Sequence, residues 1–205
     1  MMLALSATFG AVFFGAAGRL GWLLSESWYG TIEREADGPP PLRIPSWLFV
    51  AVAACVGTSV GIHGASTLQA AVLIVAVLSL TVCAATDART GMIPDLFTLG
   101  PLIVVLALSA LRHEWAPLAG AVFALVPFAA IAALSRGRGM GWGDVKLAAF
   151  GGALVGMGGI TLAVAIASLA VIVAGVLNRR ARTPIAFGPY LAVSIGTALG
   201  LGSTF

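Results

Sequence analysis

Residues 66–86 read STLQAAVLIVAVLSLTVCAAT, a run without a single charged side chain. A helix that crosses a bilayer needs roughly 20 predominantly apolar residues, with a usual range of about 17–25. This stretch meets that length, and it sets the scale for reading the rest. Seven further segments qualify on either side of it: residues 2–24, 46–62, 95–111, 116–135, 144–158, 159–177 and 186–203. The segment 144–158 is short and rich in glycine. Strand alternation is absent, whereas a closed barrel needs polar residues facing inward at every second position. The expected fold class is all-α: a polytopic transmembrane helix bundle of about eight spans.

Composition leads to the same place. An apolar share of 60% against 9% charged leaves too few polar side chains to coat a soluble fold of 205 residues. Lipid must be the outer solvent for most of the chain. The longest polar stretch, SESWYGTIEREADGPPPLRIP at residues 25–45, is too short to bury a core. Pro39, Pro40 and Pro41 make it an extended connection. Glu33, Arg34, Glu35 and Asp37 read as a solvated loop, and replacing Glu26, Glu33 or Asp37 by Ala is expected to matter little.

The first apolar segment has no basic residue ahead of it and carries Arg19 toward its far end. That polarity argues against a cleaved signal peptide and for an N-terminus outside. With eight spans, the cytoplasmic connections and span ends then hold Arg34, Arg43, Arg89, Arg136, Arg138, Lys146, Arg179, Arg180 and Arg182. The external connections hold only Arg112. This positive-inside bias accounts for the basic charge and removes any need for a nucleic-acid partner.

Cys55 and Cys83 both fall in apolar spans and read as small core residues; no CxxC pair is present. His63 and His113 fall in external connections without a second ligand at helical spacing. No metal and no cofactor are expected. The small residues of AAFGGALVGMGG, 148–159, suit close helix packing in lipid.

Two places break the apolar pattern in a chemically suggestive way. TDARTGMIPDLFTLG, 86–100, joins the third and fourth segments, and RGRGMGWGDVKLAAFGG, 136–152, leads into the sixth. Each sets an aspartate, Asp87 or Asp144, at a span boundary, and the charge bias puts both on the cytoplasmic side. An aspartate at the centre of a spanning helix costs on the order of 2.5–3.5 kcal/mol and less near the interface, and such residues usually face the bundle interior. Two carboxyls held close together cannot both ionise easily, so the pair offers an acid and a base. The ionised one can activate water against a peptide carbonyl while the protonated one donates to the developing oxyanion.

Gly141 and Gly143 flank Trp142 just before Asp144, where backbone can approach closely. Asp144 is then expected at a helix start, and Lys146 points elsewhere on that helix. Pro94 biases Ile93 away from helix, and Asp95 reads first as a structural acid in the opening turn of the fourth span.

Asp87 with Ile93-Pro94-Asp95 matches D-x5-I-P-[DN], and Gly141 to Lys146 matches G-x-G-D-x-K. PIAFGPYLA, 184–192, matches a P-F-G-P-F-L-A segment. Together these resemble the type IV prepilin peptidases, membrane aspartyl proteases that include the archaeal preflagellin peptidases; the resemblance covers about residues 46–205. It implies that Asp87 and Asp144 are the catalytic pair, with Ile93, Pro94, Asp95, Gly141, Gly143, Lys146, Phe187, Gly188 and Pro189 supporting the cleft. It implies a prepilin or pseudopilin substrate with a short basic leader, a glycine before the cut and a hydrophobic helix after it. The substrate helix and the lipid bilayer are then the expected partners, in the cytoplasmic membrane with the site facing the cytoplasm; a homo-oligomer is allowed.

Two departures stand out. Many bacterial members carry a four-cysteine zinc domain, associated with N-methylation, after their first span; here residues 25–45 take that position without cysteine, so peptidase activity without methylation is expected. Ala186 replaces the usual proline before Phe-Gly-Pro. The expected organisation is a first transmembrane helix and cytoplasmic loop, 1–45, followed by a catalytic bundle, 46–205. A multi-pass transporter would show charges near the midplane and repeated halves, neither of which is apparent. The presenilin type shares GxGD but carries its first aspartate after tyrosine, where Thr86 stands here. An inactive scaffold of the same fold is the remaining alternative.

Overall fold

The computed structural model describes residues 2–29, 45–64, 66–135, 140–177 and 186–202. Arg34, Arg43, Arg136, Arg138, Arg179, Arg180 and Arg182, most of the basic residues behind the expected orientation, lie outside the described residues. So do Glu33, Glu35, Asp37 and the prolines 39–41.

Seven helices form among the described residues, with no strand: α1 Met2–Tyr29, α2 Ser46–His63, α3 Thr67–Thr90, α4 Asp95–Leu111, α5 Ala116–Leu134, α6 Trp142–Leu177 and α7 Gly188–Gly202. Five stretches of helix, within α1, α2, α3, α5 and α6, are long and apolar enough to cross a membrane; α4 and α7 are shorter apolar helices. The chain is thus a helical polytopic membrane bundle.

α3 is the most buried of the five long apolar helices. Ser66 and Gln69 close its start in a reciprocal capping box, and Gly91, at φ 76°, ends it in the left-handed conformation that glycine adopts without strain. Val82, Cys83, Ala84 and Ala85 are buried in its final third. The helix runs past residue 86 to Thr90, so Asp87 lies inside its last turn and not in the connection that follows. The hydroxyls of Thr86 and Thr90 bond back to the carbonyls of Val82 and Thr86 at 2.7 and 2.8 Å, so these two polar residues can be buried in the helix end.

α1 lies along α2 through small residues: Gly10 and Gly57 meet backbone to backbone, and a Cβ on Gly18 would fall 2.9 Å from that of Ala53. Gly120 of α5 meets Gly152 of α6 in the same manner. In lipid such close backbone approach replaces the hydrophobic drive between helices. Phe49, Ala53, Val56 and Gly57 form the buried stripe of α2. Cys55 lies off that stripe and is exposed, unlike the core position expected for it, whereas Cys83 is buried. His63 belongs to the last turn of α2, its ring Nδ1 2.8 Å from the Ser59 carbonyl, and not to the loop beyond.

The sixth and seventh expected segments are one element broken at Gly156, whose φ of 68° and ψ of −177° are non-helical. The first arm, residues 142–155, is about 21 Å long at 1.5 Å per residue. That is too short to cross alone a hydrocarbon core of about 30 Å, and from Leu147 to Gly156 the arm is buried in protein. A Cβ on Gly151 would lie 3.1 Å from Ile160 Cδ1, so the two arms fold sharply against one another. Irregular backbone at membrane depth is tolerated where protein surrounds it, as here.

Candidate active site

The end of α3 and the starts of α4, α6 and α7 converge at one end of the bundle. A cleft of about 370 Å³ opens between them, lined by Asp87, Gly91, Met92, Ile93, Asp95, Gly141, Trp142, Gly143 and Asp144. Asp87 reaches it from the last turn of α3, where it is only 6% exposed. Asp144 reaches it from the first turn of α6.

Local sequence explains both placements. At α6, the N–H groups of Asp144 and Val145 donate to the Gly141 carbonyl at 3.1 and 3.4 Å, closing the first turn. The Asp144 carboxyl sits at the position from which an acid reaches back to a helix start, where the dipole favours a negative group. At α3, the Gly91 N–H bonds the Asp87 carbonyl at 2.9 Å and the Met92 N–H bonds the Thr90 hydroxyl at 3.2 Å. These bonds turn the chain toward Ile93 and Pro94.

Both carboxyls face this one cleft, each from a different helix. One oxygen of each, Asp87 Oδ2 and Asp144 Oδ1, is buried without a hydrogen-bond partner among the described residues. A buried acceptor left so costs on the order of 1–3 kcal/mol and more when charged, so such atoms mark a place built to engage something else.

The other motif residues divide. Gly143 lies against Ile93, and the Gly188 backbone lies against the Asp87 carboxyl; a Cβ on Gly188 would fall 2.6 Å from Asp87 Oδ2. Lys146 turns from Asp144 and pairs with Asp95, Nζ to Oδ1 at 2.6 Å, with both side chains partly exposed. Asp95 does occupy the first turn of α4, with Pro94 as the extended residue before it. Phe187 stands 6.4 Å from Phe128, ring centre to ring centre, and Pro189 is buried at the start of α7; neither lines the cleft. Ala186, where proline was expected, is buried beside them.

Sequence reasoning missed one cluster at this end. Arg89, two residues beyond Asp87, lies 4.2 Å over the Trp22 ring of α1. It donates to the Ser25 hydroxyl at 3.3 Å and stands 3.7 Å from Glu26, which accepts from the Trp22 indole N–H at 2.8 Å. α1 therefore continues as helix through residues 25–29, where a solvated loop was expected. The signal was present in the i, i+4 pair Trp22 and Glu26, but only their shared partner gives it meaning.

A family model described as the type IV leader peptidase family matches residues 74–176, just over half of the chain. A prepilin leader peptidase/N-methyltransferase of Dickeya chrysanthemi is 39% identical over 131 residues, 58% of this chain and 45% of that protein. The protein of the same description from Escherichia coli (strain K12) is 34% identical over 128 residues, 57% of this chain and 56% of its own length. The chain spans about half the length of these curated relatives. No solved structure matches it. The matched residues 74–176 include Asp87, Asp95 and Asp144 and stop short of α7, so the contact of Gly188 with Asp87 comes from outside that match.

Proposed function

This chain belongs to the type IV leader peptidase family, and on that premise we propose that it is a membrane aspartyl endopeptidase that removes the basic leader of prepilin-like or pseudopilin substrates. One observation carries the reading. Asp87 and Asp144, 57 positions apart in sequence, line one cleft, each with a buried oxygen that has no partner among the described residues.

The mechanism follows from two carboxyls that hold one proton between them. The ionised carboxylate takes a proton from water as its oxygen attacks the scissile carbonyl carbon. The protonated carboxyl donates to the carbonyl oxygen, which becomes a hydroxyl of the tetrahedral intermediate. Collapse breaks the C–N bond, the proton held by the first carboxyl passes to the leaving amine, and the second carboxyl recovers its own. Asp95 and Lys146 pair with each other at the rim, so Lys146 does not hold Asp144 in an ion pair.

In this reading residues 46–205 form the catalytic bundle and 1–45 the first helix and a cytoplasmic loop. The positive-inside bias supports an outside N-terminus and a cleft on the cytoplasmic side of the cell membrane, the side of a basic leader. The reading covers leader removal and not methylation, because residues 25–45 hold no cysteine for a zinc domain. The test uses membranes containing the full chain and a basic-leader prepilin. Wild type should cut at the glycine, while Asp87→Asn and Asp144→Asn insert normally and do not cut. Processing by either variant refutes the assignment.

A further inference from the structure

We propose that Ile93 is a positioning residue: its side chain is the spacer that holds the Gly143–Asp144 turn and the Gly188–Asp87 contact at their working separation. The inference rests on the two-aspartate reading above and adds to it the element that sets the geometry of the pair.

Ile93 bridges two glycines that each adjoin one aspartate. At its base, a Cβ on Gly143 would fall 2.9 Å from Ile93 Cβ and 3.3 Å from Cγ1. At its tip, a Cβ on Gly188 would fall 3.0 Å from Ile93 Cδ1. One side chain therefore lies along the residue before Asp144 through Cβ, Cγ1 and Cδ1, at 3.4 Å for the last, and meets with the same Cδ1 the residue packed on Asp87. Both neighbours are glycines, so backbone closes directly onto the isoleucine from two helices, α6 and α7. The other face of Ile93 lines the cleft, and the side chain is half-buried against the hydrophobic core.

The chain around Ile93 makes it stiff. Gly91 ends α3 at φ 76°, and Pro94, at φ −68° and ψ 126°, opens α4. A residue before proline is confined to extended backbone. A β-branched side chain has restricted χ1 freedom. Isoleucine joins that stiffness to a Cδ1 long enough to reach Gly188, a reach valine lacks. Deleting the spacer leaves an apolar gap, and such gaps close in part by movement of their walls. One wall carries Asp144 and the other, Gly188, packs on the Asp87 carboxyl, so the two carboxyls should approach one another.

Geometry can be read without any activity. Asp87→Cys and Asp144→Cys are introduced together into the full chain with Cys55 and Cys83 replaced by alanine, beside Ile93, Ile93→Val and Ile93→Ala. Cross-linking of positions 87 and 144 by a short bis-thiol-reactive reagent should be several-fold faster with Ile93→Ala than with Ile93, and intermediate with Ile93→Val. Equal rates across the three overturn the spacer, whatever the chain cleaves. In the native-aspartate background, closer carboxyls couple more strongly, so the two limbs of the pH–rate profile should move apart by roughly half a unit or more in Ile93→Ala. The charged groups near the pair, Asp95 with Lys146 and Arg89 with Glu26, are the same in every variant. An unchanged or narrower profile overturns the proposal. Absence of cleavage by the parent chain counts against the peptidase reading alone, since the cross-linking rates still decide on Ile93.

Discussion

Gly188→Ala isolates the contribution of α7 to the reaction. The added Cβ would fall 2.6 Å from Asp87 Oδ2 and 3.0 Å from Asp87 Cγ and Ile93 Cδ1. To regain ordinary van der Waals distance the carboxyl must retreat by roughly 0.8 Å. Gly188 has no positive φ and opens a helix, where alanine is the better helix former, so the backbone does not object. On the proposed two-aspartate mechanism the cost therefore falls on the placement of Asp87. A misplacement of about 1 Å at a reacting group costs on the order of 100-fold in rate. kcat for leader cleavage should fall on the order of 100-fold, equivalent to about 2.7 kcal/mol of barrier. KM and the thermal unfolding midpoint in detergent should stay close to wild type. Gly100→Ala is the control, because nothing lies within 4 Å of a Cβ there. If Gly188→Ala keeps kcat within about threefold of wild type, less than 1 kcal/mol of barrier, the contact with Asp87 does not position it.

Gly152→Val should separate α5 from α6, because even a Cβ at 152 would fall 3.0 Å from that of Ala124 and strike the Gly120 backbone. Overpacking of this kind costs about 1–3 kcal/mol or more, seen as a lower unfolding midpoint in detergent. Trp22→Leu removes the ring under Arg89 and should loosen α1 from α3 by about 0.5–2 kcal/mol; faster proteolysis of residues 25–45 with unchanged unfolding of the remaining bundle would report it. Lys146→Ala breaks a partly exposed pair and should shift stability by no more than about 1 kcal/mol, measured in the same unfolding assay. Chelation by EDTA should leave cleavage by wild-type membranes unchanged, and inhibition would bring a metal into the mechanism.

Where local chemistry sets structure, the sequence was readable. The bounds expected for α4, residues 95–111, coincide with the observed helix because Pro94 opens it and the apolar run closes with Leu111. α3 ran longer than expected because the polar residues Thr86, Asp87 and Thr90 satisfy themselves or face a cleft, which a count of apolar residues cannot register. Glu26 read as loop because its partner, Arg89, lies 63 positions away. The break at Gly156 was legible only as a glycine-rich weakness; that α5 approaches it, a Cβ on Gly120 falling 3.0 Å from the Gly156 Cα, is a contact no local pattern shows.

By itself the sequence determined that this protein lives in lipid as a helical bundle, since hydropathy sums over neighbours and needs no knowledge of contacts. It also singled out Asp87 and Asp144 as the acids whose burial would demand a purpose. Tertiary structure decided that the two share a cleft, that Lys146 attends Asp95, and that Ile93 stands between glycines from different helices. These are contacts between residues far apart in the chain, fixed by how closely small residues let the helices pack, and no local pattern encodes that distance.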